Sequence, residues 1–203
     1  MHRVAVSRVS LYRGENKVVL RGMCHVAPPD FYEKVQEEIN EAARQGDKIL
    51  YEGLDATYLP RPFDAREARL RKLFSATWLA EKLYAERSAL CCQNERLVYP
   101  KGSVRADTTL AHLCALLATS DSLAEIEAEE FYKLMWGQEH DPLFEEAVVR
   151  SRDRMVTNHI RRMSEGRNIL VVYGQAHLPG ITQNLKQKGW FAASHEYQDI
   201  RLA

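Results

Sequence analysis

No run of apolar residues in this 203-residue chain approaches the roughly 20 that a membrane-spanning helix needs, so no membrane partner is expected. An excess of charge of one sign is also missing. Lysine plus arginine number 28, and so do aspartate plus glutamate. That balance argues against a general nucleic-acid binder, which needs a net basic face. Cys24, Cys91, Cys92 and Cys114 form no Cys-x-x-Cys pair, which argues against a zinc ribbon or a thioredoxin-like site. They are expected to be reduced thiols. Met1-His2-Arg3 leads straight into an alternating strand pattern rather than an apolar targeting segment, so a cytoplasmic location is the expectation. There is no Gly-x-Ser-x-Gly elbow, no Walker A loop, no Gly-x-Gly-x-x-Gly and no His-Glu-x-x-His.

What is present describes an ordinary globular chain, 45% apolar and 28% charged, of a length that suits one domain over residues 1–203. Val4, Val6, Val9 and Leu11, the turn Gly14-Glu15-Asn16, and Val18 to Leu20 read as a hairpin whose second strand stops at Gly22. Pro28-Pro29-Asp30 opens a helix, with Asp30 as N-cap or Pro29 in the first turn, and Gly46 closes it. Lys48 to Leu54 is a short buried strand, which makes a β-α-β unit with parallel strands. Pro60 and Pro62 mark a loop. Helices are expected from Asp64 to Cys92, Thr108 to Ala118, Asp121 to Trp136 and Pro142 to Met163, with a short strand at Arg96–Tyr99. Asn168 to Tyr173 is the clearest buried strand. Pro179-Gly180 begins a short helix, and Trp190 to Leu202 supplies one or two edge strands. The fold class is therefore α/β. A mixed, mainly parallel sheet is flanked by helices, and a helical middle, about 60–140, caps it.

Three features fall at equivalent places. The strand at 18–21 ends in Gly22-Met23-Cys24-His25, the strand at 48–51 ends in Glu52-Gly53, and the strand at 169–173 ends in Gly174-Gln175-Ala176-His177. In parallel strands these ends share one sheet edge, where α/β proteins bind ligands. His25, His177 and Glu52 suit a divalent metal ion. They equally suit acid/base chemistry without a metal. In the helix 142–163, the stripe Val148, Arg152, Met155, Val156, His159 and Met163 points Arg152 inward. A buried guanidinium needs an anion, and Glu52, Asp107 or a substrate carboxylate can supply it. Asp107 reads first as an N-cap and second as a ligand-facing group. Asp153 lies off the stripe, where it can help orient a neighbour. His2, His140 and His195 read as solvated.

RGMCHVAPPDFYEKVQEEI followed by KILYEGLD resembles the opening block of the TraB/PrgY/GumN proteins and the related TIKI metalloproteases. Ser151-Arg152-Asp153 and the run from Gly174 through His177 to Leu178-Pro179-Gly180 resemble their closing block. The likeness covers roughly 17–55 and 145–190, and Ala106-Asp107 falls where such proteins often place an Asp. It implies a fold shared with erythromycin-esterase-like and haem-binding ChaN-like proteins. For the TIKI branch it implies a metal-dependent peptidase, with a Mn or Co ion on His25, His177 and Glu52 and with Arg152 in support. Met23 and Cys24 depart from the small or hydroxyl residues common there, and neither the TIKI secretory signal nor its membrane anchor is expected from these 203 residues. The expectation is thus a metal-dependent hydrolase of a peptide or small molecule, Glu52 being ligand or general base. A metal-free esterase-type hydrolase and a non-catalytic peptide-binding protein, like the PrgY relatives linked to peptide-pheromone shutdown, stand as alternatives.

Overall fold

Alternation of apolar and polar residues over the first two dozen positions produces two long antiparallel strands. A computed structural model describes residues 2–57 and 61–202, so Pro60 and the His2 side chain lie outside the described residues. Strands β1 (His2–Arg13) and β2 (Asn16–Met23) pair with Val9 opposite Leu20 and Leu11 opposite Val18. Gly14 makes the turn with a φ of +59°, which favours glycine. A two-residue strand β3 (Val26–Ala27) follows. Helix α1 (Pro29–Arg44) starts on Pro29 with Pro28 as N-cap and has no side-chain cap, so Pro29, not Asp30, sets its start.

Strand β4 (Lys48–Tyr51) leads through a loop to helix α2 (Ala65–Arg87). Asp64 and Glu67 close a capping box at its start. The helix ends before the cysteines, because Cys91–Cys92 form strand β5 against β3. The expected strand at Arg96–Tyr99 is not formed. A short helix α3 (Gln93–Arg96) occupies its start, and the strand of this region, β6, is Val104–Arg105. Helix α4 (Leu110–Leu117) is capped by Thr109, so Asp107 is not its N-cap. The single helix expected over 121–136 is two, α5 (Asp121–Ala124) and α6 (Ala128–Met135). Helix α7 (Pro142–Glu145) runs through a π-helical turn (Glu146–Arg150) into α8 (Ser151–Met163). Strand β7 (Ile169–Gly174), a 3-10 turn (Gln175–His177), helix α9 (Leu178–Lys186) and the edge strand β8 (Phe191–Leu202) complete the chain.

The six-stranded sheet has the order β6-β4-β7-β2-β1-β8. Strands β6, β4, β7 and β2 are mutually parallel, while β1 runs antiparallel to both its neighbours. The late strand β7 is inserted between β2 and β4, so the β2-α1-β4 unit spans a gap that β7 fills. Every residue of β7 is buried, as expected of a parallel strand covered on both faces. Val171 packs with Val156, Ile160 and Ile181 on the α8/α9 side. Val172 packs with Phe31, Val35 and Ile39 on the α1 side. The helical middle has an apolar cluster of its own, with Leu70, Phe74, Leu113, Leu117, Phe131 and Phe144 at its centre. Phe74 and Phe144 both meet Phe131 edge-on.

Candidate functional site

Parallel pairing in register puts the carboxyl ends of β2, β7 and β4 on one edge, with Met23 beside Gly174 and Tyr51 beside Val172. Glu52 leaves that edge directly, its N–H bonded to Val172 O at 3.0 Å. Its side chain turns inward. One oxygen accepts from the Gly174 N–H, and the other accepts from Arg152 Nη2 at 2.6 Å. A Cβ on Gly174 would sit 2.8 Å from the Glu52 carboxylate, so this motif glycine makes room for the neighbouring strand's acid.

Arg152 is buried and committed. Its Nε and Nη2 donate to Asp107 at 2.8 Å each, Nη2 also reaches Glu52, and Nη1 donates to Val148 O at 3.2 Å. The guanidinium also lies 5.8 Å from the Tyr173 ring centre. The Asp107 carboxylate is fully buried, accepts from Gly53 N and Thr108 N, and so ties the ends of β4 and β6 to α8. Of the anions considered for Arg152, two protein carboxylates serve together. Burial pushes the Glu52 carboxyl up, but Arg152, then His177 and His25, outweigh it and hold the group at about 2, below its ordinary 4.5. Glu52 is therefore ionised at neutral pH.

His177 completes this buried group. Its Nδ1 meets Asp153 Oδ1 at 2.7 Å, and its Nε2 lies 3.7 Å from Glu52 Oε1. Tyr173 packs edge-on against the imidazole, 5.0 Å between ring centres. Asp153, which the helical stripe placed off the inward face, is buried and orients this histidine. Gly180 explains the Leu-Pro-Gly tail of the motif. A Cβ there would run into the Asp153 carboxylate.

His25 lies apart from that network. It lines a cavity of about 640 Å³ together with Glu52, Arg152, Tyr51, Tyr99, Phe74 and Trp78. Tyr51 and Tyr99 stack at 4.0 Å with their planes 11° apart, which gives the cavity a flat aromatic wall. The His25 side chain is 45% exposed, against 6% for His177. Its Nδ1 sits 3.3 and 3.4 Å from the two oxygens of Glu81 on α2. Burial disfavours its protonated form, but the Glu81 bond and the nearby Glu52 outweigh this and move the ring's pKa above its ordinary 6.5. Glu81 was not anticipated, although a signal existed. It falls on the stripe Phe74, Trp78, Ala85 of α2, an unusual place for a carboxylate.

Among the described residues, no group of three or more His, Cys, Asp or Glu side chains is arranged to hold a metal ion. Both Glu52 oxygens carry hydrogen bonds, His177 offers Nε2, and His25 turns Nδ1 toward Glu81. In this arrangement the residues do not fit a resident metal. The four thiols are free, and Cys24 is pushed up by burial to about 11, so it is not a ready thiolate. His140 and His195 are exposed. No helix among the described residues is long and apolar enough to cross a membrane.

Comparison with curated proteins and with solved structures found no match. The model of the TraB/PrgY/gumN family matches residues 105–192, a segment that holds Asp107, Arg152, Asp153 and His177, while His25, Glu52 and Glu81 precede it. Over that segment the chain is similar to the TraB/PrgY/gumN family.

Proposed function

We propose that this protein is a hydrolase of a peptide or a small acyl compound, acting in the cavity beside the ends of β2 and β4. The observation that carries the reading is that His25 and Glu52, delivered from two strand ends, line one cavity with an aromatic wall. In the reaction, His25 takes a proton from a water molecule as that water attacks the acyl carbon. The proton then passes to the leaving nitrogen or oxygen as the acyl bond breaks. Glu52 is a poor base, because a carboxyl held at about 2 has little affinity for a proton. Its fixed negative charge instead favours the imidazolium formed on His25. Arg152, Asp107, Asp153 and His177 keep that charge in place.

A metal-dependent form of the same hydrolysis is the second reading, with His25, His177 and Glu52 as ligands to a Mn or Co ion. One observation favours it. The contact of His177 Nδ1 with Asp153 leaves Nε2 facing Glu52, the orientation that carboxylate partners impose on ligating histidines. The metal-dependent form needs His25 brought up to His177 and Glu52, a grouping that the present arrangement does not make among the described residues.

The test is turnover of peptide and ester libraries by purified protein, with and without added Mn²⁺ or Co²⁺, beside His25→Ala. Metal-independent turnover that His25→Ala abolishes supports the first reading. Turnover that appears only with the ion supports the second. No turnover under either condition overturns both and leaves peptide binding as the activity to measure.

A further inference from the structure

The cap helix and the first Gly-x-x-His segment are fastened to each other at two points. Strand β3, which follows His25 at once, pairs with β5, with Val26 opposite Cys92. The Gln93 N–H donates to the His25 carbonyl at 2.9 Å. These bonds hold the backbone of His25 against the segment that follows α2. The side chain is held separately, by Glu81 from within α2, whose two oxygens straddle Nδ1 at 3.3 and 3.4 Å. Glu81 is only 11% exposed, although it is a charged residue beside a cavity. His177 is held in the same way, with Nδ1 on a helix carboxylate, Asp153.

We propose that Glu81 is a positioning residue for His25: by accepting from Nδ1–H it fixes the ring so that Nε2 is the nitrogen presented to the cavity. An imidazole has one free lone pair in its neutral form, and the hydrogen bond made by one nitrogen decides which nitrogen carries it. A carboxylate at Nδ1 therefore assigns the lone pair to Nε2, the atom that must meet water or substrate. The carboxylate comes from the cap and the histidine from the sheet, so the site is complete only when α2 lies over the strand ends. A loosened cap would leave His25 in the cavity but free to rotate and to exchange tautomers. The kinetic part of this inference rests on the hydrolase reading; the orientation of the ring does not.

The experiment is nitrogen NMR of the His25 ring at alkaline pH, where the imidazole is neutral, in the wild type, Glu81→Gln and Glu81→Ala. It is paired with kcat and KM on whatever library substrate turns over. The wild type should show the Nδ1–H tautomer. Glu81→Gln keeps an oxygen to accept the bond and should keep that tautomer. Glu81→Ala should shift toward the Nε2–H tautomer and lose about ten- to a hundredfold in kcat, with KM little changed, as removal of an orienting partner does. Circular dichroism of both variants shows whether α2 survives, and the glutamine variant keeps the test valid if the alanine variant does not fold. An unchanged tautomer in Glu81→Ala overturns the proposal, as does a shifted tautomer with full kcat. If the wild type turns nothing over while the tautomer shifts as expected, the hydrolase reading fails and the positioning of His25 by Glu81 is upheld.

Discussion

The two Gly-x-x-His segments end adjacent parallel strands, yet they part company within three residues. They are offset by one position, Gly22 lying beside Tyr173 and Met23 beside Gly174. After Gly174 the chain turns at once into a 3-10 turn and α9, which folds His177 beneath the sheet edge. After Gly22 it runs one more strand residue, and the link Cys24-His25 then leads to β3, so that His25 faces the cavity from between the two strands. The same four-residue pattern thus yields one histidine inside a charged, solvent-poor network and another at an accessible wall. Sequence identity within a motif does not fix its role; the element that follows does. The buried segment should govern stability, and the exposed one should govern chemistry.

The sharpest way to break that division is at Arg152. Replacing it by Leu leaves Glu52 and Asp107 as uncompensated buried carboxylates. We expect Arg152→Leu to lose about 3–5 kcal/mol of stability in urea unfolding. A loss under about 1 kcal/mol would mean that the network is solvated and that the contrast between the segments is false.

Acid should reach the same network without mutation. Glu52 is held at about 2 in the folded chain against an ordinary 4.5. Its contribution is fully present above 4.5 and is lost as the pH falls toward 2, because the unfolded chain binds the proton first. A shift of that size corresponds to about 3 kcal/mol. Unfolding followed from pH 6 to pH 2 (about the range that brackets both values) should show this decline, and Glu52→Gln should flatten it.

Much of this site was legible beforehand. The strand-end positions of His25, Glu52 and His177 followed from short apolar runs that stop at glycine, and Arg152 was placed inward by helical spacing. Asp153 was misplaced because the π-helical turn Glu146–Arg150 accommodates an extra residue and rotates the face that follows. The buried positions of α8 are Arg152, Asp153, Val156, Thr157 and Ile160, a stripe shifted toward Asp153 and Thr157, with Met163 partly buried at its end. Asp107 read as a cap because an acid before a helix usually caps it, yet Thr109 does that work and frees Asp107 for Arg152. The insertion of β7 between β2 and β4 is a long-range choice that no local pattern records.

A smaller effect should come from Gly180→Ala, which adds no charge and removes none. The new methyl group meets the Asp153 carboxylate and must push it off His177. Overpacking of this kind costs about 1–3 kcal/mol, to be read from the thermal or urea midpoint. Asp153→Ala in the same background should abolish most of the difference, since the clash is with that side chain. If it does not, the tail glycine serves the backbone rather than the histidine.

The smallest effect on stability and the largest on turnover should come from His25→Ala. The ring is 45% exposed, and its contact with Glu81 is long, so its loss should change stability by no more than about 1 kcal/mol. His177→Ala, by contrast, strips a buried partner from Asp153 and should cost about 1–3 kcal/mol. In turnover the order reverses for His25, whose removal as general base should lower kcat by about 10²–10⁴. The pH profile carries the same signature. A base must be unprotonated, and His25 is shifted above 6.5, so activity should rise through a limb that lies above that value. A limb well below it would assign the proton transfer to another group and would make the accessible histidine, not the buried one, the bystander.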